Sequence, residues 1–112
     1  AVSPRQYDRH YAPHTPAYRF LRAQWRGVQD WAGAHGPVGL LSQADDVHLA
    51  APHETVRMPE NEQAYARCLY SALRELDEKS LAAIVVLMPA RHDGVWAAVA
   101  DRLRRASVEL PL

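Results

Sequence analysis

Residues 61–88, NEQAYARCLYSALRELDEKSLAAIVVLM, decide the fold class, because they join a long amphipathic helix to a strand that is apolar along its whole length. Tyr65, Cys68, Leu69, Ala72, Leu73 and Leu76 recur at three- and four-residue spacing. That spacing draws one apolar stripe along a helix running from about Asn61 to Glu78. Arg67, Arg74, Glu75 and Glu78 populate the opposite side. The run AIVVLM that follows is rich in β-branched residues and shows no polar alternation, so both faces of this strand are expected to be covered.

The same alternation extends in both directions. Downstream, Asp93 offers an N-cap, and Trp96, Val99, Leu103 and Ala106 mark a last amphipathic helix. Upstream, residues 17–21 (AYRFL) form a first strand candidate, and Trp25, Val28, Trp31 and Ala32 recur at helical spacing. That helix ends near Gly33 and Gly36. Residues 37–41 (PVGLL) read as a short buried strand, residues 43–46 as a polar turn, and residues 47–51 as a further strand closed by Pro52. Strand, helix, strand, strand, long helix, strand, helix predicts an α/β domain over residues 17–112: a three-layer body with a mostly parallel sheet flanked by helices.

Residues 1–16 differ in kind. The stretch SPRQYDRHYAP over residues 3–13 puts an Arg-His-Tyr cluster on a segment bounded by Pro4, Pro13 and Pro16. Proline denies helical hydrogen bonds and pushes its predecessor toward extended geometry, so this is an extended linker ahead of the core. Polar side chains on such a strap are free to reach another surface, because the core does not need them. The arrangement suggests a module that works beside something else.

Composition narrows the partners. The chain has 112 residues, 48% of them apolar, with 13 basic and 13 acidic residues and no net charge. Such a chain fills one globular domain and lacks the basic face that direct nucleic-acid binding requires. Its one cysteine, Cys68, excludes an intramolecular disulfide and fits a reducing compartment. No apolar run reaches bilayer-spanning length and no signal-peptide pattern occurs, so a cytoplasmic location without a membrane partner is the expectation. The start at Ala1 without Met fits a processed product or a piece of something longer.

Few groups suggest chemistry. Neither GxGxxG nor GxxxxGK[ST] occurs, and Asp45 and Asp46 in the turn after PVGLL would repel phosphate. The turn Pro89–Gly94 is a candidate anion site: Arg91 and His92, with Gly94, lie where a helix N-terminus would present free N–H groups. The alternative is a solvated turn. Six histidines raise the question of a metal. Pro13 separates His10 from His14, and His48 and His53 fall on different sides of a strand and its turn, so no metal site is expected. Cys68 on the apolar stripe reads as a small buried hydrophobe rather than a nucleophile, and Trp25, Trp31 and Trp96 as helix residues packed on the sheet. The adjacent pairs Asp45/Asp46 and Asp77/Glu78 read as solvated punctuation. Ser42, Ser71, Ser80 and Ser107 have no nucleophile-elbow context. No catalytic residues are assigned.

Three segments resemble a known family. The strap SPRQYDRHYAP is similar to the SPGM(K/R)YRHYAP linker of the two-domain threonylcarbamoyl-AMP synthases, the Sua5 branch of the Sua5/YrdC family. ARCLYSALRELD over residues 66–77 resembles the helix signature A-x-x-L-(Y/F)-x-A-L-R-x-L-D of that family's C-terminal domain. AVADRLRRA over residues 98–106 resembles the domain's closing A-(I/V)-x-(D/N)-R-L-x-(K/R)-A.

The resemblance implies a Rossmann-like domain that follows a larger YrdC-like catalytic domain, supplied in cis or in trans. In the family that catalytic domain makes threonylcarbamoyl-adenylate from L-threonine, bicarbonate and ATP, for the t6A modification of tRNA. No counterpart of its pocket exists in this chain, which would be an accessory or lid module, not catalytic alone and holding no cofactor of its own. Arg9, His10, Tyr11, Ala12 and Pro13 match the RHYAP half of the linker, which makes Arg9, His10 and Tyr11 the lid or ligand-contact candidates; the alternative is a strap that merely packs on its own domain. Arg5, Gln6, Tyr7 and Asp8 depart from the family form, replacing a basic lid position and placing an acid beside it. Two other readings stay open: a stand-alone small-ligand or nucleotide-binding module using Arg91, His92 and Gly94, and a self-associating interaction domain whose strap docks on a sister subunit of a homo-oligomer.

Overall fold

The computed structural model describes residues 11–112. Five strands and three helices follow in the order β1 (Ala17–Phe20), α1 (Trp25–His35), β2 (Val38–Ser42), β3 (Glu54–Arg57), α2 (Glu62–Asp77), β4 (Ala83–Leu87), α3 (Val95–Ala106) and β5 (Val108–Glu109). The strands form one sheet in the order β3-β2-β4-β1-β5. Every neighbouring pair is parallel, so the sheet expected as mostly parallel is parallel throughout.

Local chemistry explains the helix ends. The Asn61 carboxamide accepts from the Ala64 amide at 3.0 Å and caps α2, with Glu62 in the first turn favouring the positive helix end. At the end of α1, the Gly36 amide donates to the Ala32 carbonyl at 2.7 Å, and Pro37 prevents continuation.

The strands β2 and β4 are buried along their whole length, as expected of an apolar run without alternation. Their side chains divide between two cores. Leu41, Ile84 and Val86 pack with Tyr65, Leu69, Leu73 and Leu76 of α2 and Trp96, Val99 and Leu103 of α3. Leu40, Ala83, Val85 and Leu87 pack on the other face with Val28 and Ala32 of α1. Helices on both faces make the three layers, and this division follows from right-handed crossovers that leave β1 toward one edge and β3 and β4 toward the other. Among the described residues, no helix is long and apolar enough to cross a membrane.

Four details differ from the sequence reading. Residues 47–51 form a loop rather than a strand; the strand lies at Glu54–Arg57. Val47 and Leu49 plug the core beside α1, and the Thr55 hydroxyl bonds both the amide and the carbonyl of Leu49, so the loop is stapled to β3 instead of pairing beside it. Asp93 does not cap α3, because Arg91 engages its carboxylate and Gly94, at φ 58°, occupies the cap position. Cys68 is exposed. With 100° per residue it lies roughly 80° round the helix from the mean of the five buried α2 residues, at the margin of the stripe. Finally, β5 is too short to show in the sequence and is held by pairing with Tyr18 and Arg19 of β1.

Candidate functional site

A parallel sheet has two unlike ends. At its amino end the strap enters β1, and α2 returns the chain to the same end ahead of β4. The Pro16 carbonyl accepts from the Ile84 amide at 2.8 Å, which ties the close of the strap to β4. Asp77, the last residue of α2, sits beside this junction and takes four hydrogen bonds from it. Its Oδ1 accepts from the Thr15 amide at 2.9 Å and the Thr15 hydroxyl at 2.7 Å. Its Oδ2 accepts from the His14 amide at 3.0 Å and the Tyr11 hydroxyl at 3.1 Å.

Tyr70, Arg74 and Asp77 form a second stripe on α2, set at three- and four-residue spacing and away from the core stripe. Tyr11 lies along it. Its ring meets Tyr70 edge-on with centroids 5.8 Å apart, and the Arg74 guanidinium sits 5.4 Å from the Tyr11 ring centre. A guanidinium over an aromatic face and a charged acceptor for the phenol hold one side chain by two independent interactions.

The electrostatics follow from these contacts. Burial alone would raise the Asp77 carboxyl. The Thr15 hydroxyl, the Thr15 and His14 amides and the Tyr11 hydroxyl outweigh burial and bring it down to about 2. Burial, then the hydrogen bond and charge of Asp77, push the Tyr11 phenol up to about 12, against an opposing pull from Arg74.

The carboxyl end of the sheet carries a different feature. An open cleft of about 530 Å³ lies beyond β2, β3 and β4, with Asp45, Asp46, Arg57, Glu60, Arg91 and Trp96 among its walls. Its guanidiniums are engaged by neighbouring carboxylates. Arg57 donates to Asp45 at 3.0 Å and Glu60 at 3.3 Å, and Arg91 donates to both oxygens of Asp93 at 3.2 and 2.8 Å; the cleft's Asp46 pairs with Arg22, which lies outside the lining.

The predicted site residues are therefore distributed as follows. Tyr11 packs on the domain's own α2, while Arg9 and His10 lie outside the described residues. Arg91 lines the carboxyl-end cleft, whereas His92 lines a separate groove of about 240 Å³ with Phe20, Leu21 and Arg104, and Gly94 caps α3. Arg91 and His92 are thus not brought into one cavity. His35 stacks on Trp31 with ring centres 4.2 Å apart, and the His53 ring nitrogen accepts from the Val38 amide at 3.1 Å. Among the described residues, no group of three His, Cys, Asp or Glu could hold a metal ion.

Sequence reasoning missed Asp77, which is an anchor and not solvated punctuation. A signal was present. An acid in the last turn of a helix faces the negative end of the helix dipole, so it needs a reason from outside the helix. The strap supplies it.

Five parallel strands between helices, with an N-terminal strap tied to the amino end by one carboxylate, define a three-layer α/β domain of Rossmann-like kind. Residues 1–108 match the family described as threonylcarbamoyl-AMP synthase, C-terminal domain, and the chain belongs to that family. It superposes on P. abyssi Sua5, solved in complex with L-threonine, with a TM-score of 0.71 and 22% identity over 91% of this chain and 32% of that one. It also superposes on the C-terminal Sua5 domain of a hypothetical Sua5 protein from Pyrococcus horikoshii, with a TM-score of 0.64 and 18% identity over 88% of this chain and 98% of that one. The chain thus spans about a third of the P. abyssi protein and nearly all of the isolated domain. No curated protein matches it by sequence.

Two of the segments that resemble the family meet in space: Tyr11 comes from the strap, and Tyr70, Arg74 and Asp77 come from the helix signature.

Proposed function

We propose that this chain is the accessory and lid module of a threonylcarbamoyl-AMP synthase, acting in the cytoplasm on a YrdC-like catalytic domain in cis or in trans. ATP, L-threonine and bicarbonate are bound and converted by that partner. This chain contributes a rigid body and a strap whose Arg9 and His10 reach the pocket mouth, where a guanidinium suits a phosphate or carboxylate and an imidazole can donate or stack. The observation that supports this reading is the latch between Tyr11 and α2. It anchors the strap on the domain at the residue that immediately follows its Arg-His pair in sequence.

The test is reconstitution. A YrdC-type catalytic domain produced separately, given ATP, L-threonine and bicarbonate, should bind this chain and change its output of threonylcarbamoyl-adenylate, and the chain alone should form none. Absence of binding and of any change in output, or turnover by the chain alone, would refute the reading.

A further inference from the structure

We infer that Asp77 is a positioning residue: by gathering Tyr11, His14 and Thr15 on one carboxylate, it fixes the point from which the strap departs toward the catalytic domain. The inference rests on the reading that this chain serves such a domain, and it names the device that would make the strap effective. Asp77 accepts two hydrogen bonds on each oxygen, two from backbone amides and two from side-chain hydroxyls. Backbone donors fix the path of the chain, while the Tyr11 hydroxyl fixes a side chain three residues farther out.

Arg74 and Tyr70 complete the seat from the same face of α2. Tyr11 itself is held at the amino end of the sheet, near the close of α2. The carboxyl-end cleft with Arg91 opens at the opposite end. Without the carboxylate, the last hydrogen-bonded anchor of the strap would retreat from Tyr11 to Pro16, whose carbonyl accepts from the Ile84 amide. The tether between that anchor and the Arg9–His10 pair would then be five residues longer, and the effective concentration of the pair at a partner's pocket would fall.

Two measurements on three proteins test this: wild type, Asp77→Ala, which removes all four acceptor contacts, and Tyr11→Phe, which keeps three. Amide hydrogen exchange reads the latch at His14 and Thr15, and at Val85 as a core control. Titration of a separate YrdC-type catalytic domain reads the effect on adenylate output, with kcat taken at saturating chain so that weaker docking is separated from poorer presentation of the strap. Asp77→Ala should speed exchange at His14 and Thr15 about tenfold or more, as expected when charge-assisted bonds are lost, and leave Val85 unchanged. It should also lower the chain's effect on kcat, with Tyr11→Phe intermediate in both measurements.

Unchanged exchange in Asp77→Ala would overturn the latch. Faster exchange with an undiminished effect on kcat would overturn its positioning role while leaving the accessory function intact. A wild-type chain that changes nothing in the catalytic domain would refute the accessory function itself, and the positioning role with it.

Discussion

The Tyr11 hydroxyl and the Asp77 carboxylate lie 3.1 Å apart although 66 residues separate them in the chain. The bond crosses from the extended strap to the last residue of α2, at the one place where helix end, strap and β4 converge. With the His14 and Thr15 bonds to the same carboxylate, it ties residues 11–15 of the strap to the folded body, and it sets the conditions under which that attachment holds.

Acid should release it. Its hydrogen bonds hold the Asp77 carboxyl down to about 2 in the folded chain, below the ordinary carboxylate range, so it adds stability above the unfolded value and loses it as pH falls toward about 2. The Tyr11 phenol, raised from 10.0 to about 12, adds stability below 10.0 and loses it as pH rises through about 12. The stability difference between wild type and Asp77→Asn should be flat near neutrality, shrink as pH drops through the carboxylate range, and shrink again in strong base. Urea unfolding followed by circular dichroism across pH measures it, and a difference that widened in acid would contradict the assignment.

The start of α2 depends on Asn61. Its carboxamide satisfies the Ala64 amide, so Asn61→Ala should cost about 1 kcal/mol, while Asn61→Asp or Asn61→Ser should stay close to wild type. Urea midpoints at neutral pH distinguish the two outcomes.

Gly39 is required by its neighbours and not by its backbone. A Cβ at this position of β2 would lie 2.8 Å from a Leu81 methyl and 2.9 Å from a Leu76 methyl. Leu76 is fully buried and cannot swing into solvent. Gly39→Ala should therefore cost about 1–3 kcal/mol as an overpacked core. Combined with Leu76→Val, which trims the contact, it should cost less than the sum of the two single changes; strict additivity in thermal melts would rule out the clash.

Cys68 should react with a maleimide in the native state, because its side chain is exposed on α2. Cys68→Ser should change stability by no more than about 0.5 kcal/mol, as surface substitutions generally do. Labelling only after addition of denaturant would place the thiol inside.

Much of the body was legible because burial leaves a local trace. The helix expected from about Asn61 to Glu78 forms at Glu62–Asp77, and the apolar run after it forms a strand covered on both faces. Both patterns depend on neighbours within a few residues. The misreadings have the opposite character. Val47 and Leu49 look like strand residues because they are apolar, yet they serve the core from a loop, and only the hydroxyl of Thr55 and the path of β2 determine that. Cys68 fits the three-residue spacing of the stripe but falls at its margin, where the width of the neighbouring layer sets exposure.

Hydrophobic periodicity, then, was enough to specify the helices, the central covered strand and the parallel α/β class, since each element must bury its own apolar face wherever it ends up. Strand order and the role of Asp77 were settled only in three dimensions. A carboxylate has no period, and the donors that give this one its purpose come from residues 62 to 66 positions away.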